Sequence, residues 1–340
     1  LKDPSSLAIF GVRGANGVII ISTKSAKQGD LNFNFNSTLG FKDVNHRMKM
    51  TDAEGFKTLY NEQLKNEGAT PFDYTNWNAN TDWQDQIFQR GILNYNNLSV
   101  SGATDKNKFY MGLGYTTEEG VVKHEEYKKL TLNINDELKI TDNFKVGMNF
   151  SGYKASLPQI QSGLINTAII ASPVTPIFND EYGLYHNTPP FQTPQIYSPM
   201  VGLELRKNTR ISDEYRAVGS VFAELTFLEH FTAKASFLYD YGFNGIRSYT
   251  PIVNVYDPNI QGTDKTSTLV RTTSVSQEQN TYKKAQSDWL LTYKNNWGDH
   301  SLTATAGFTT YYRGYEGIIT NVGQGSGCLL YTSPSPRDRT

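Results

Sequence analysis

The chain has 340 residues, of which 38% are apolar, 13% aromatic and only 19% charged, and its formal net charge at pH 7 is -1. Aromatic richness with little charge excludes a disordered chain, and a near-neutral balance with scattered Lys and Arg excludes a dedicated nucleic-acid surface. No run approaches the roughly 18–20 apolar residues that a spanning helix needs, whereas a polar, aromatic-rich chain suits a membrane β-barrel, whose lipid face is concealed by alternation.

In chain order, Gly11, Gly14 and Gly17 supply a tight turn ahead of Val18–Ile21, which reads as a buried strand ended by Thr23 and Lys24. These glycines precede a strand. A dinucleotide fingerprint follows a strand and opens a helix, so the string is not a nucleotide loop. Period-2 segments then dominate residues 31–312. Leu31, Phe33, Phe35 and Leu39 alternate with Asn32, Asn34, Asn36 and Thr38. Thr51-Asp-Ala-Glu54 forms a capping box before Phe56, Leu59, Tyr60 and Leu64, which predicts a helix up to Gly68. Alternation resumes at Phe109–Tyr115, Leu130–Ile140 and Phe144–Phe150. Leu164–Ala171 is a second short apolar candidate for a helix, and the prolines of Pro173–Pro199 predict an ordered but irregular loop. Further alternating segments run over Phe231–Tyr241, Trp289–Trp297 and Leu302–Phe308.

Several of these segments reach 10 or more residues, beyond the roughly 5–6 of an ordinary strand and enough for a tilted membrane crossing. Short turns at 104–106, 141–143, 229–230 and 298–300 alternate with long connections at about 41–91, 118–127, 156–214 and 244–284. Strict parity puts every long loop on one rim, as in outer-membrane barrels. A soluble β-sandwich acting as a carbohydrate-binding or adhesin module is the alternative, and an outer-membrane enzyme a third reading; a sandwich has no reason to sort its loops by parity.

The run from Asp3 to Lys24 (DPSSLAIFGVRGANGVIIISTK) resembles the end of the plug domain of the SusC/RagA family of TonB-dependent transporters. Met50–Phe56, Asn80–Phe88, Leu98–Gly102 and the stretch from Tyr110 to Val122 resemble the start of that family's barrel, in the family's order. The resemblance covers residues 1–171 by motif and the rest by pattern. It implies an all-β fold: the C-terminal end of a plug (residues 1–27, with the plug motif Gly11, Arg13, Gly14, Ala15, Asn16 and Gly17) and a partial transmembrane antiparallel barrel (residues 28–327). That barrel has about nine of the 22 strands of a plugged transporter. It also implies energised import of an oligosaccharide or peptide across the bacterial outer membrane, in contact with outer-membrane lipid. The implied partners are a SusD-like lipoprotein lid and TonB, engaged through a TonB box upstream of these residues. No cofactor is implied. The final stretch from Cys328 to Asp338 (CLLYTSPSPRD) resembles the read-through of a sequencing adapter, so residues 328–340 are set aside from fold reasoning. The only cysteine lies there, so no disulfide framework is expected.

The search for chemistry returns little. His46, His124, His186, His230 and His300 are dispersed without metal-ligand spacing. Asp257-Pro-Asn259-Ile-Gln261-Gly262 has some oxygen ligands of a calcium loop but lacks the terminal bidentate Glu, so it reads as a turn. Asp180 and Glu181 read as a solvated pair, no G-x-S-x-G elbow occurs, and neither a metal nor a catalytic residue is assigned. Tyr127, Tyr239, Tyr241 and Trp297 fit an interfacial girdle, and Trp83 a structural role. Trp77, Tyr182, Tyr185, Phe191 and Tyr197, in the long loops, are the candidates for stacking on a ligand or touching a partner.

Overall fold

The computed structural model describes residues 29–158, 163–205 and 207–323. The glycine motif of residues 11–17 and the segment from Cys328 onward lie outside them. Nine long strands form one sheet: β1 (Gly29–Lys42), β2 (Gly91–Ala103), β3 (Asn107–Glu119), β4 (Glu126–Lys139), β5 (Phe144–Ser156), β8 (Arg210–Phe227), β9 (Phe231–Thr250), β12 (Ser274–Trp297) and β13 (His300–Gly323). Each pairs antiparallel with the next long strand in the chain. Two small hairpins sit within the connections: β6 (Phe178–Asn179) with β7 (Leu184–Tyr185), and β10 (Val253–Tyr256) with β11 (Thr266–Val270). No helix among the described residues is long and apolar enough to cross a membrane.

The register turns the sequence alternation into two continuous faces. Phe33, Val100, Met111, Ile134, Phe150, Gly219, Tyr239, Ala285 and Tyr312 are successive partners across all nine strands, without a charge. One residue along, Asn34, Ser99, Gly112, Asn133, Ser151, Val218, Asp240, Lys284 and Arg313 form the adjacent row on the other face. Directly opposed residues share a face, so a one-residue slip would exchange the two rows everywhere. The apolar face is bare: Phe33 is 71% exposed and Phe308 is 64% exposed. A sandwich would close that face with a second sheet. None of the described residues does so; a barrel leaves the face to lipid.

Phe227, Phe231, Tyr293 and Trp297 follow one another at centroid distances of 5.6, 4.9 and 6.4 Å on the apolar face beside the short turns. They form one aromatic girdle, and Tyr115, Tyr215, Tyr241 and Tyr312 lie along the opposite border of the apolar band. Tyr127 is a correction. It pairs with Glu118 and so falls on the polar face, because its strand starts one residue out of phase with the expected girdle position.

The connections are short at 104–106, 140–143, 228–230 and 298–299, and longer at 43–90, 120–125, 157–209 and 251–273. Strands β9, β12 and β13 run further toward the long-loop rim than alternation indicated, so the last long connection is 251–273 rather than 244–284, and β13 continues to Gly323. Ser274–Lys284 is polar on both faces, so it carries no period-2 signal although it pairs without a break. Here the strands have left the apolar band. The β8–β9 turn holds Leu228 and Glu229 at φ 49° and 58°, a left-handed backbone costing roughly 1–2 kcal/mol per non-glycine residue. Gly147 is required by a close approach, since a Cβ there would meet the Phe222 ring at 2.4 Å.

Helix α1 (Ala53–Asn66) forms where expected, but its cap is Asp52, whose carboxylate accepts from the Gly55 amide at 2.9 Å. Thr51 is one residue too early. Glu54, the expected partner of the box, is held instead by Lys57 at 2.9 Å. The helix ends before Gly68, at φ +73°. Helices α2 (Trp83–Ile87), α3 (Leu164–Ile170) and α4 (Pro199–Leu203) complete the rim, with α3 on the apolar segment singled out above.

Candidate functional site

Apart from Ala103 and Ala155, the buried hydrophobic residues lie in the long connections. Trp83 and Ile87 from the first connection, Val122 from the second, and Leu164, Ala168, Met200 and Leu203 from the third make one cluster. Ala53, Trp77 and Val174 make another. Val201 with Val253 and Val255 ties the third connection to the fourth. Backbone bonds stitch the same loops: Gln89 N donates to Val121 O at 2.8 Å, Thr81 N to Pro173 O at 2.8 Å and Asn187 N to Tyr256 O at 2.8 Å. The Trp83 indole donates to Ser172 O at 3.0 Å, which gives the structural role expected for that residue its geometry. Four loops of unrelated sequence thus share one core at one end of the sheet, whose own apolar side chains point outward.

The five loop aromatics do not assemble into one site. Trp77 is a correction: at 1% exposure, with its ring edge-on to His186, it is spent on packing and presents nothing to a ligand. Tyr185 packs against the first cluster, edge-on to Phe178 at 5.1 Å. Phe191 closes an aromatic group on α1, 4.5 Å from Tyr60 and 5.0 Å from Phe72. Tyr182 donates to Thr263 O at 2.8 Å and leans on Tyr256, joining two loops. Tyr197, 45% exposed, keeps an open face.

Polar groups in the rim are largely structural too. His186 is buried between Trp77 and Tyr256 with Nδ1 unpartnered, and burial depresses its pKa to about 4 despite the nearby Asp257 charge. Burial alone would raise the Glu204 carboxyl, but His124 Nε2 at 2.9 Å and Lys207 at 2.8 Å hold it below the usual range. The Asp257 loop is a turn: Asp257 accepts from the Asn259 amide at 2.9 Å, and the Lys265 ammonium donates to Ile260 O at 2.5 Å and Pro258 O at 3.3 Å. An internal cation therefore takes carbonyls that a calcium ion would use. No group of three metal-ligating side chains occurs among the described residues, and Asp180 and Glu181 are exposed.

A more coherent site lies on the polar face of β8, β9, β12 and β13, below the rim and level with the tyrosines that border the apolar band. It encloses about 470 Å³ and is lined by Glu214, Arg216, Asp240, Tyr282, Lys284, Tyr311 and Arg313, among others. Arg216 grips Asp240 with two parallel bonds, Nε to Oδ1 at 2.9 Å and Nη2 to Oδ2 at 2.7 Å. The Tyr153 hydroxyl donates to Glu214, and the Tyr315 hydroxyl donates to Asn280 Oδ1 at 2.7 Å. Tyr282 and Tyr315 stand 5.1 Å apart, and Lys284 lies 5.5 Å from the centre of the Tyr311 ring. Flat aromatic faces beside forked, amide and charged groups suit a large polar solute. The sequence reading missed this site. Its residues lie on four strands that span a hundred residues of chain, and only the register makes them neighbours.

These features define a class: a segment of a large membrane barrel wall with a packed loop layer on one rim. The comparisons narrow it. No family model matches the chain. The chain is 28% identical over 319 residues to TonB-dependent receptor P3 of Formosa agariphila, covering 91% of this chain and 30% of that protein. It is 29% identical over 253 residues to TonB-dependent receptor SusC of Bacteroides thetaiotaomicron, covering 67% of this chain and 24% of that one. Solved structures of the RagAB peptide transporter superpose with a TM-score of 0.71 at 20% identity, over 95% of this chain and 39% of theirs. The chain is thus SusC/RagA-like, a partial antiparallel barrel of the TonB-dependent receptor type, and it spans about a quarter to a third of the curated relatives' length.

Proposed function

We propose that these residues form the N-terminal part of the barrel of an outer-membrane transporter that imports a large nutrient, an oligosaccharide or a peptide, by a TonB-dependent route. Residues 1–27 are then the end of the plug and the long connections face the cell exterior. A SusD-like lipoprotein closes over the rim as a lid, and the chain has no catalytic role. The observation that carries this reading is the placement of the loops. All four long connections fuse at one end of a sheet whose apolar face is uncovered and whose polar face holds a solute-sized cavity. SusC among the relatives and the RagAB peptide importer among the solved structures support it. The test is uptake by cells carrying the complete gene and its lipoprotein neighbour. Accumulation of labelled oligosaccharides or peptides is expected to need TonB. Uptake that persists without TonB, or a full-length protein that does not insert in outer membranes, overturns the reading.

A further inference from the structure

We propose that Lys284 and Arg313 form an oxyanion subsite on the luminal wall, which takes a carboxylate or sulfate group of the transported solute. This rests on the import reading above. The two cations stand directly opposite each other on β12 and β13. Like charges in that arrangement destabilise a sheet unless an anion is shared between them. The carboxylates of the wall are already engaged. Asp240, opposite Lys284, is held fork to fork by Arg216, and Glu214 accepts the Tyr153 hydroxyl. Asp240 feels the Lys284 charge at longer range, but no described carboxylate forms a close ion pair with Lys284 or Arg313, although such pairs form elsewhere on the same face, at Lys145–Glu224 and Lys234–Glu224.

The cavity beside the pair therefore carries two more cations than carboxylates, counting Arg216, Lys283, Lys284 and Arg313 against Glu214 and Asp240. The guanidinium fork of Arg313 offers planar donors that match a carboxylate or a sulfate, and Lys284 adds a rotatable point charge from the neighbouring strand. Tyr282 and Tyr311 give the rest of an acidic solute flat surfaces to lie on.

The test uses the complete receptor in its own outer membranes. Arginines are modified with phenylglyoxal and the extent at Arg313 is read by mass spectrometry, with the paired Arg216 as internal reference. Arg313 is expected to react readily. Citrate or inorganic sulfate should slow that reaction by about tenfold, the scale of a charge-assisted bond. Glycerol, and chloride at the same ionic strength, should not. Lys284→Gln should raise the half-protecting concentration by a similar factor. Protection by citrate alone assigns a carboxylate, and by sulfate alone a sulfate ester. The proposal falls if Arg313 is shielded from the outset like Arg216, since its anion then comes from the plug or from a strand beyond β13. It falls equally if chloride protects as well, or if Lys284→Gln changes nothing. Because this readout does not need uptake, its failure is separable from failure of the import reading.

Discussion

Replacing Trp83 by Ala should open the loop rim while the sheet stays assembled. Trp83 is 3% exposed and packs in the cluster that joins three of the long connections. Its indole also bridges the first connection to the third through Ser172 O at 3.0 Å. Removing such a ring costs about 3–5 kcal/mol. At about 1.4 kcal/mol per decade, that raises the open-to-closed ratio of the rim by two to three orders of magnitude or more. Trp83→Phe retains most of the packing and removes only the bond. Ser172 O keeps the Thr175 amide at 3.4 Å, so the loss should fall near the lower end of the roughly 1–3 kcal/mol for an orphaned buried group. The assay is limited proteolysis of the full-length protein in membranes of the cells that express it. Cleavage within residues 43–90 and 157–209 should accelerate in the order wild type, Trp83→Phe, Trp83→Ala. The barrel should keep the anomalous gel mobility of a folded barrel in unheated samples throughout. Unchanged cleavage would show that the cluster is not what holds the loops. Loss of the folded-barrel mobility in Trp83→Ala would show that rim and sheet unfold as one unit, and would refute the separation argued here.

Adjacent residues on β9 test the two faces. Phe237→Arg puts a charge toward lipid and should cost about 2–4 kcal/mol near mid-depth, while Ser236→Arg, on the polar face, should cost under about 1, both read by urea unfolding of refolded full-length barrel. Equal costs would contradict the assignment of faces. His186 should make the rim pH-sensitive. Its folded pKa of about 4 lies below the ordinary value of 6.5, so the open state binds the extra proton between them. Rim stability is then full above pH 6.5 and falls as pH drops toward 4, and His186→Leu should flatten that dependence in the proteolysis assay. Replacing Leu228 with Asn and Glu229 with Gly relieves two left-handed residues, and should raise the urea midpoint by an amount equivalent to about 1 kcal/mol or more. Gly147→Val drives a branched side chain into the Phe222 ring and should lower refolding yield, with Phe222→Ala as partial rescue.

Much of this architecture is legible residue by residue. Phe33, Phe35 and Leu39 alternating with asparagines can only make a two-faced strand, and the parity of short and long connections follows from reading such strands in order. The cap signal before Ala53 was legible but displaced by one residue, Asp52 rather than Thr51, because both offer the same chemistry, whereas the short helix capped by Asp82 was not read from the sequence. The upper halves of β12 and β13 were not legible: Ser274–Lys284 is almost wholly polar and the adjacent Ile318 and Ile319 break the alternation of β13, so these segments form strands only because their neighbours continue the ladder. Trp77 and Tyr197 look alike in the sequence, each an aromatic in a polar loop. One is sealed in the core and the other open, since burial depends on what the other loops bring.

Alternation and spacing are local properties, carried by neighbours along the chain, so the sequence by itself determined the strand class, the two faces, the short and long turns and the likeness to SusC/RagA proteins. Register and loop packing are non-local. Only the tertiary structure set Lys284 against Arg313, placed Arg216 on Asp240, and buried Trp83 among residues from three separate connections. Partners distant along the chain leave no periodic trace in it, and the free energy that selects them comes from fitting whole strands and loops together at once.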